Sequence, residues 1–355
     1  MEIMNFNKKK RKILIPSLCI ISIIYIFVAT HPVKPELSLT PEWTVDISNV
    51  QESTSKDLIP YRLGQSLGYF TNDGKVVSNV TFPFKASISE SRYTTYAPDN
   101  KAAEFFNADG SKAGVLEEDG FPFFQDNKIY VMKPGGTSFA RFDSNGKKIW
   151  DFEYYAPITA FNTSKNATVA GYADGTIISF DEKGNIDQKF TPGGSSVEVI
   201  LGAAVSDDGK RIACICGQDK QRFVVAEKNG NHSKIVYHEY LPSELKRQTL
   251  VKFNKTSDVV YFNYSNGLGI LDLATSKCYK LPVYGKISQI EFSSSGLIFV
   301  LSKNLSTYKV SVLEPLKYPL ASFEFFGKTA FIQIKDKNLF VGCDSKISKI
   351  SISRK

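Results

Sequence analysis

The sequence predicts an all-β fold, a single ring of four-stranded antiparallel units, and three observations carry that prediction. Residues 158–190 read as four short strands, ITAFNTS, ATVAGYA, TIISFDE and NIDQKF, parted by the two-residue turns KN, DG and KG. β-Branched and aromatic residues alternate there with small or polar ones, and each run stops at Asn or Gly, as strands and tight turns do. Copies of this unit recur along the chain. Aromatic residues make up 13% of the 355, enough bulk to fill the space between stacked sheets.

A lone four-stranded meander has two open edges and two faces to cover, so it needs neighbours of its own kind. Aligning one bulky residue near the end of each first strand gives Ile88, Phe124, Phe161, Val205, Phe253, Phe292 and Ile334. Spacings near 40 residues match the blades of a β-propeller, and seven anchors predict seven blades, within a range of six to eight. A second strand follows each anchor: RYTTYA, KIYVM, ATVAG, RIACI, VVYFN, LIFVL and NLFVG. Third and fourth strands flank a polar turn closing on Gly in FFNADGSKAGVL, ARFDSNGKKIWDF, ISFDEKGNIDQKF and FVVAEKNGNHSKIVY, where Asp or Asn supplies an Asx-type turn and Gly the positive φ. LGILDLATSKCYKL lacks that Gly, and YKVSVLEP runs through Pro315. At Asp174-Gly175 the dipeptide predicts a type I′ hairpin turn.

The last copy, TAFIQIKDKNLFVGCDSKISKISIS, supplies only three strands. A closed ring then requires a strand from the amino end, and the candidates are WTVDIS and KVVSNVTF. The second is preferred, because its TNDG turn copies the third-to-fourth-strand turn of the other blades.

The first 30 residues differ in kind. Lys8, Lys9, Lys10, Arg11 and Lys12 precede an uncharged apolar run over residues 13–30. Eighteen helical residues would cover about 27 Å, close to a bilayer's hydrocarbon thickness. The expectation is therefore a cytoplasmic basic segment (1–12), a transmembrane signal-anchor (13–30), a linker (31–56) and a propeller domain (57–355) on the exported, periplasmic or extracellular side. A cleaved signal peptide is the alternative, though Val28, Ala29 and Thr30 match a cleavage site poorly. The amino-terminal segment accounts for +4 of the formal net charge of +8, which leaves the propeller only weakly basic and argues against nucleic acid as a partner. Cys214 and Cys216 alternate on one face of a strand and are expected to be buried as small apolar side chains.

With the repeats in view, residues from about 61 to 355 resemble the quinoprotein-like (PQQ-like) and WD40-like propeller superfamily. ARFDSNGKKIWDF, with Trp150 after its turn, is similar to a quinoprotein-like blade, whereas the Trp-Asp and Gly-His signatures of WD40 repeats are missing. Quinone-dependent dehydrogenases of this shape use adjacent cysteines, a tryptophan floor and a carboxylate-held calcium. This chain has Cys214-x-Cys216 and only Trp43 and Trp150, so the resemblance implies the architecture without the cofactor residues, and no cofactor is expected.

No catalytic set converges in the sequence. His31 is in the linker, His232 and His238 flank an outer strand, and no G-x-S-x-G motif is present. Asp143, Asn145, Asp207 and Asp208 resemble fragments of calcium loops but lack the distal Glu, so they read as turn residues. No metal site is expected. In a propeller, the loops joining second to third strands and fourth strands to the next blade gather on one face. Residues 133–136, 191–195, 217–222 and 241–248 fall there. Asp174, Gln218, Asp219, Gln221 and Arg222 are the candidate partner-binding residues. The function these features suggest is a membrane-anchored, non-catalytic scaffold binding protein partners in the cell envelope. The rivals are an envelope enzyme with a calcium-type site in the funnel and a small-ligand sensor.

Overall fold

The computed structural model describes residues 16–26, 36–125, 127–230, 232–242, 245–265, 267–316 and 319–354. The chain divides into two compact units. Residues 1–39 with 352–355 form one, whose described parts are a helix over residues 16–26 and strand ends at 37–39 and 352–354. This corrects the expected transmembrane helix over residues 13–30. The described helix has eleven residues, about 16 Å of rise. No helix among the described residues is long and apolar enough to cross a membrane. Its first described residue is Pro16. Residues 13–15 and 27–30 of the expected span, like the basic cluster at 8–12, lie outside the described residues.

Residues 40–351 form the other unit, and it holds the sheets. Eight sheets are found among the described residues, seven of four strands and one of three, so the expectation of seven blades is corrected to eight. Blade 1 spans Leu58–Thr81, blade 2 Lys85–Leu116, blade 3 Phe121–Glu153 and blade 4 Ile158–Phe190. Blades 5 to 8 begin at Ile200, Val251, Lys286 and Ala330. All seven anchor residues lie on the first, innermost strands of blades 2 to 8. The missed blade is the one that lacks such a strand. Its three strands, Leu58–Leu63, Ser66–Thr71 and Val76–Thr81, correspond to the second, third and fourth of the other blades.

Two contacts fix that correspondence. Lys335, the last residue of blade 8's first strand, pairs with Asp57 just before Leu58–Leu63. Gly64, just after that strand, faces Thr329, which precedes blade 8's first strand. The innermost strand of blade 1 thus runs antiparallel to its neighbour, as a second strand would. Arg62 on that strand faces the first strand of blade 2, where its Nη1 donates to the Ala86 carbonyl at 3.2 Å.

The ring closes through the strand Leu37–Asp46, which pairs with the carboxy-terminal strand Lys346–Arg354 as the fourth strand of blade 8. The strand borrowed from the amino end is therefore the one containing WTVD, within the stretch read as a linker. The preferred KVVSNVTF is instead the outer strand of blade 1. Its TNDG turn copies other third-to-fourth-strand turns because it is one.

Packing between blades forms the core. Phe139 of blade 3 meets Phe161 and Phe180 of blade 4 with ring centroids 5.0 and 5.5 Å apart. The two tryptophans do the same job at different joints. Trp150 lies over Gly184 in the next blade's turn, where a Cβ would come within 2.6 Å of the indole, and its Nε1 donates to the Glu182 carbonyl at 3.2 Å. Trp43 lies over Gly74 of blade 1 in the same way. Where the turn Gly is missing, Ser276 (φ 54°) and Leu316 (φ 58°) take the left-handed conformation instead. The Asp174-Gly175 turn is not type I′, since only Gly175 has positive φ (82°). Its Gly175 N–H donates to the Tyr172 carbonyl at 3.1 Å, so the loop is a three-residue one ending in a left-handed Gly.

Candidate functional site

The five residues chosen from sequence share one face, on the second-to-third-strand turns of blades 4 and 5, but most of them look inward. Arg222 is buried, and its Nη1 donates to the carbonyls of Pro192 and Gly193 at 3.2 and 2.9 Å. Its guanidinium also lies over the Tyr240 ring, 5.3 Å from the centroid. Gln221 is buried too. Its Nε2 donates to the Leu245 carbonyl at 3.2 Å, and its Oε1 accepts from the Leu245 N–H at 3.3 Å. These two side chains brace the connections on either side of blade 5.

Asp219 is exposed and caps the neighbouring connection. Its carboxylate accepts from the hydroxyl of Ser195, from the hydroxyl of Ser196 at 2.6 Å and from the N–H of Val197 at 3.2 Å. The serine hydroxyls hold its pKa well below the usual carboxylate range. Gln218 is half-buried, and its backbone N–H donates to the Val197 carbonyl at 3.1 Å. Asp174 accepts from Tyr155 Oη at 2.6 Å, Tyr154 Oη at 3.3 Å and Thr176 N–H at 3.0 Å. Burial opposes ionisation there, and the hydrogen bonds led by Tyr155 outweigh it, so its pKa falls.

The residues that sequence reasoning missed on this face are apolar. Tyr155 (78% exposed), Tyr284 (74%), Leu305 (89%) and Phe326 (77%) project from it, and Phe84, Phe121 and Tyr240 join them. Each lies in or borders a second-to-third-strand turn or a connection to the next blade. On the opposite face such side chains are fewer, with Val50 (52% exposed) and Ile186 (50%) bordering third-to-fourth-strand turns. That face is made of capped polar turns: Asp143 Oδ1 accepts from the N–H groups of Asn145 and Lys147 at 2.8 and 2.9 Å, and Asp208 Oδ1 from Lys210 N–H at 3.0 Å. The sequence signal for the apolar face was available, since a bulky residue next to a turn breaks the polar pattern of loops.

Chemistry beyond contact has little support. Among the described residues, no group of three or more His, Cys, Asp or Glu is placed to hold a metal ion. His232 and His238 are exposed on the outer strand of blade 5. Cys214 and Cys216 are buried free thiols, and Cys278 and Cys343 are free as well.

Comparison with known proteins agrees with the architecture. A family model described as a beta-propeller protein matches residues 4–355. An uncharacterized protein of Treponema pallidum (strain Nichols) is 27% identical over 359 residues, spanning 98% of this chain and 95% of the relative. Among solved structures, BamB from Moraxella catarrhalis is similar with a TM-score of 0.62 at 12% identity, covering 88% of this chain and 100% of its own. The Dos1 propeller gives 0.56 at 13% identity, covering 88% and 95%. At these identities the structural likeness concerns the fold.

Proposed function

This chain belongs to the β-propeller protein family that matches it over residues 4–355, and from that premise we propose that it is a non-catalytic protein-interaction module acting in the cell envelope. One observation carries the reading: most of the large apolar side chains exposed on loops of the propeller unit gather on one face. An isolated Tyr or Phe on a surface is ordinary, but several on one rigid loop face, with polar groups between them, make the composition of a recognition surface. Tyr155 and Asp174 supply the pattern on a small scale, an aromatic ring beside a hydrogen-bonded carboxylate. The braces from Gln221 and Arg222 hold the neighbouring connections, which lowers the entropy lost on binding.

The envelope location is supported by the order of the amino-terminal residues, a basic cluster followed by an uncharged apolar run, which is the pattern of an export signal. Protease added to intact and to lysed cells tests it. Digestion of the propeller only after the cytoplasm is opened would overturn the exported placement.

Affinity capture with the full chain from envelope extract tests the face. The triple variant Tyr155→Ser, Tyr284→Ser, Phe326→Ser should lose the proteins that the parent retains. A control with Ile186→Ser and Val236→Ser, on outer strands, should keep them. Equal retention by parent and triple variant would refute the reading.

A further inference from the structure

At the mouth of the central channel, between the first strands of blades 4 to 7, lies a cavity of 440 Å³. Its volume is within the usual range for small-molecule sites. Ala160, Phe161 and Asn162 line it from blade 4, Leu201 to Ala203 from blade 5, and Lys286 to Ser288 from blade 7. The connection leading into blade 6 adds Arg247, Gln248 and Thr249.

Three features of the lining point the same way. It contains two cations, Arg247 and Lys286, and no carboxylate. Neither cation forms an ion pair among the described residues, although this unit pairs many of its other lysines and arginines with Asp or Glu. The Thr249 hydroxyl is buried without a hydrogen-bond partner, in a residue only 9% exposed. A buried polar atom left unpaired is costly and asks for a partner. The hydroxyl is packed against the first strand of blade 5, since a Cβ at Gly202 would meet Thr249 Oγ1 at 2.5 Å.

The connection bearing Arg247 is also held in place. Gln248 Nε2 reaches across to the Thr159 carbonyl of blade 4 at 2.9 Å, and Gln221 grips both backbone groups of Leu245. The guanidinium is therefore presented from a fixed loop, which a binding site requires and a solvated surface arginine does not.

We infer that this cavity is a binding site for a small organic anion, a molecule bearing a phosphate or carboxylate group. Arg247 and Lys286 neutralise the charge, and Ser288 and Asn162 supply neutral hydrogen-bonding groups. The site opens at the same end of the ring as the apolar loop face, but channel-lining residues form it rather than Tyr155, Tyr284 or Phe326, and it does not depend on a protein partner.

The experiment is thermal unfolding of the full chain with inorganic phosphate, glycerol 3-phosphate or citrate, each against sodium chloride at matched ionic strength. At least one anion should raise Tm in a saturable way, by the usual linkage of binding to stability. Arg247→Gln and Lys286→Gln should each weaken that binding about tenfold or more while leaving the Tm without anion unchanged, as expected of side chains without ion partners. Ser288→Asp, at an exposed position, should abolish binding by placing a negative charge at the rim. Glycerol 3-phosphate and citrate distinguish phosphate from carboxylate as the preferred group. If no probe gives a saturable rise beyond the chloride control, or if the Arg247→Gln, Lys286→Gln double variant binds as the parent does, the inference fails. Neither result would touch the capture experiment on the loop face.

Discussion

Replacing Trp43 with Ala should weaken the whole ring, although the residue sits on a strand next to the amino terminus. Trp43 is at the joint where the two ends of the propeller meet. Its ring is edge-on to Phe70 of blade 1 (centroids 6.4 Å apart, planes at 84°) and tilted against Phe340 of blade 8 (6.0 Å, 45°). The indole Nε1 has no hydrogen-bond partner, so truncation removes apolar contact alone. Fully buried Trp→Ala changes cost about 3–5 kcal/mol, and Trp43 is only half-buried, which places the expected loss near about 3 kcal/mol. At about 2 °C per kcal/mol for a large domain, Tm should fall by about 6 °C. Urea unfolding followed by circular dichroism measures the difference. The chain has two tryptophans, so Trp150→Phe leaves Trp43 as sole reporter, and its emission should change in the same transition as the dichroism if the closed ring unfolds as one. A loss below about 0.5 kcal/mol, the level of an ordinary surface change, would refute the role given to this strand.

Three further outcomes follow from particular contacts. Gly68→Ala should prevent blade 1 from forming, because a Cβ there would lie 1.8 Å from the Ser78 carbonyl oxygen in backbone that cannot move aside; normal expression and an unchanged melt would contradict this. Asp219 has a depressed pKa, so the cap it forms is present above the ordinary carboxylate range and is lost only as pH falls through the lower folded value. Hydrogen exchange at the Val197 amide should accordingly stay slow at pH 4, and Asp219→Ala should make it fast at every pH. Burial, reinforced by the Glu239 carboxylate, pushes the Cys278 thiol up to about 12. At pH 8 its thiolate fraction should be about a thousandfold below that of a free cysteine, and mass spectrometry after alkylation should find it unlabelled until urea unfolds the chain.

How far the sequence reveals this fold depends on which strand is asked about. The seven anchors were legible because each is a bulky apolar residue followed, four to six residues later, by a run that reads as a second strand, and all seven proved to be on channel-lining strands. Blade 1 escaped because it has no first strand to carry an anchor, and a repeat of three strands breaks the period. Its TNDG turn carried the correct information, the identity of a third-to-fourth-strand turn, but the same turn chemistry does not say which sheet owns it. Closure was legible as a requirement, since the last blade has three strands of its own. The choice of WTVD over KVVSNVTF was not, because strand pairing across about 300 residues leaves no local pattern. The amino-terminal helix shows a different limit. Hydropathy marked an apolar run of eighteen residues, whereas the described helix covers eleven of them.

The five candidate residues lie together on one face, but most of their side chains turn inward. A loop holding Asp219, Gln221 and Arg222 looks like a set of donors and acceptors offered to a partner, because sequence gives the inventory of polar groups but not where they point. In the folded chain, carbonyls exposed by the irregular connections on either side of blade 5 compete for the same donors. Pro192 and Gly193 take Arg222, and Leu245 takes Gln221. Connections between blades cannot satisfy their own backbone groups through a ladder, so the nearest long polar side chains do it for them. That demand is the reason these residues lie inward, and it leaves the surface to groups with no such obligation. Tyr155, Tyr284 and Phe326 offer apolar area, and Arg247, set beside the channel by the loop that Gln221 holds, offers charge. The polar residues of blade 5 thus act one step behind the surface, fixing the two connections from which binding would be done.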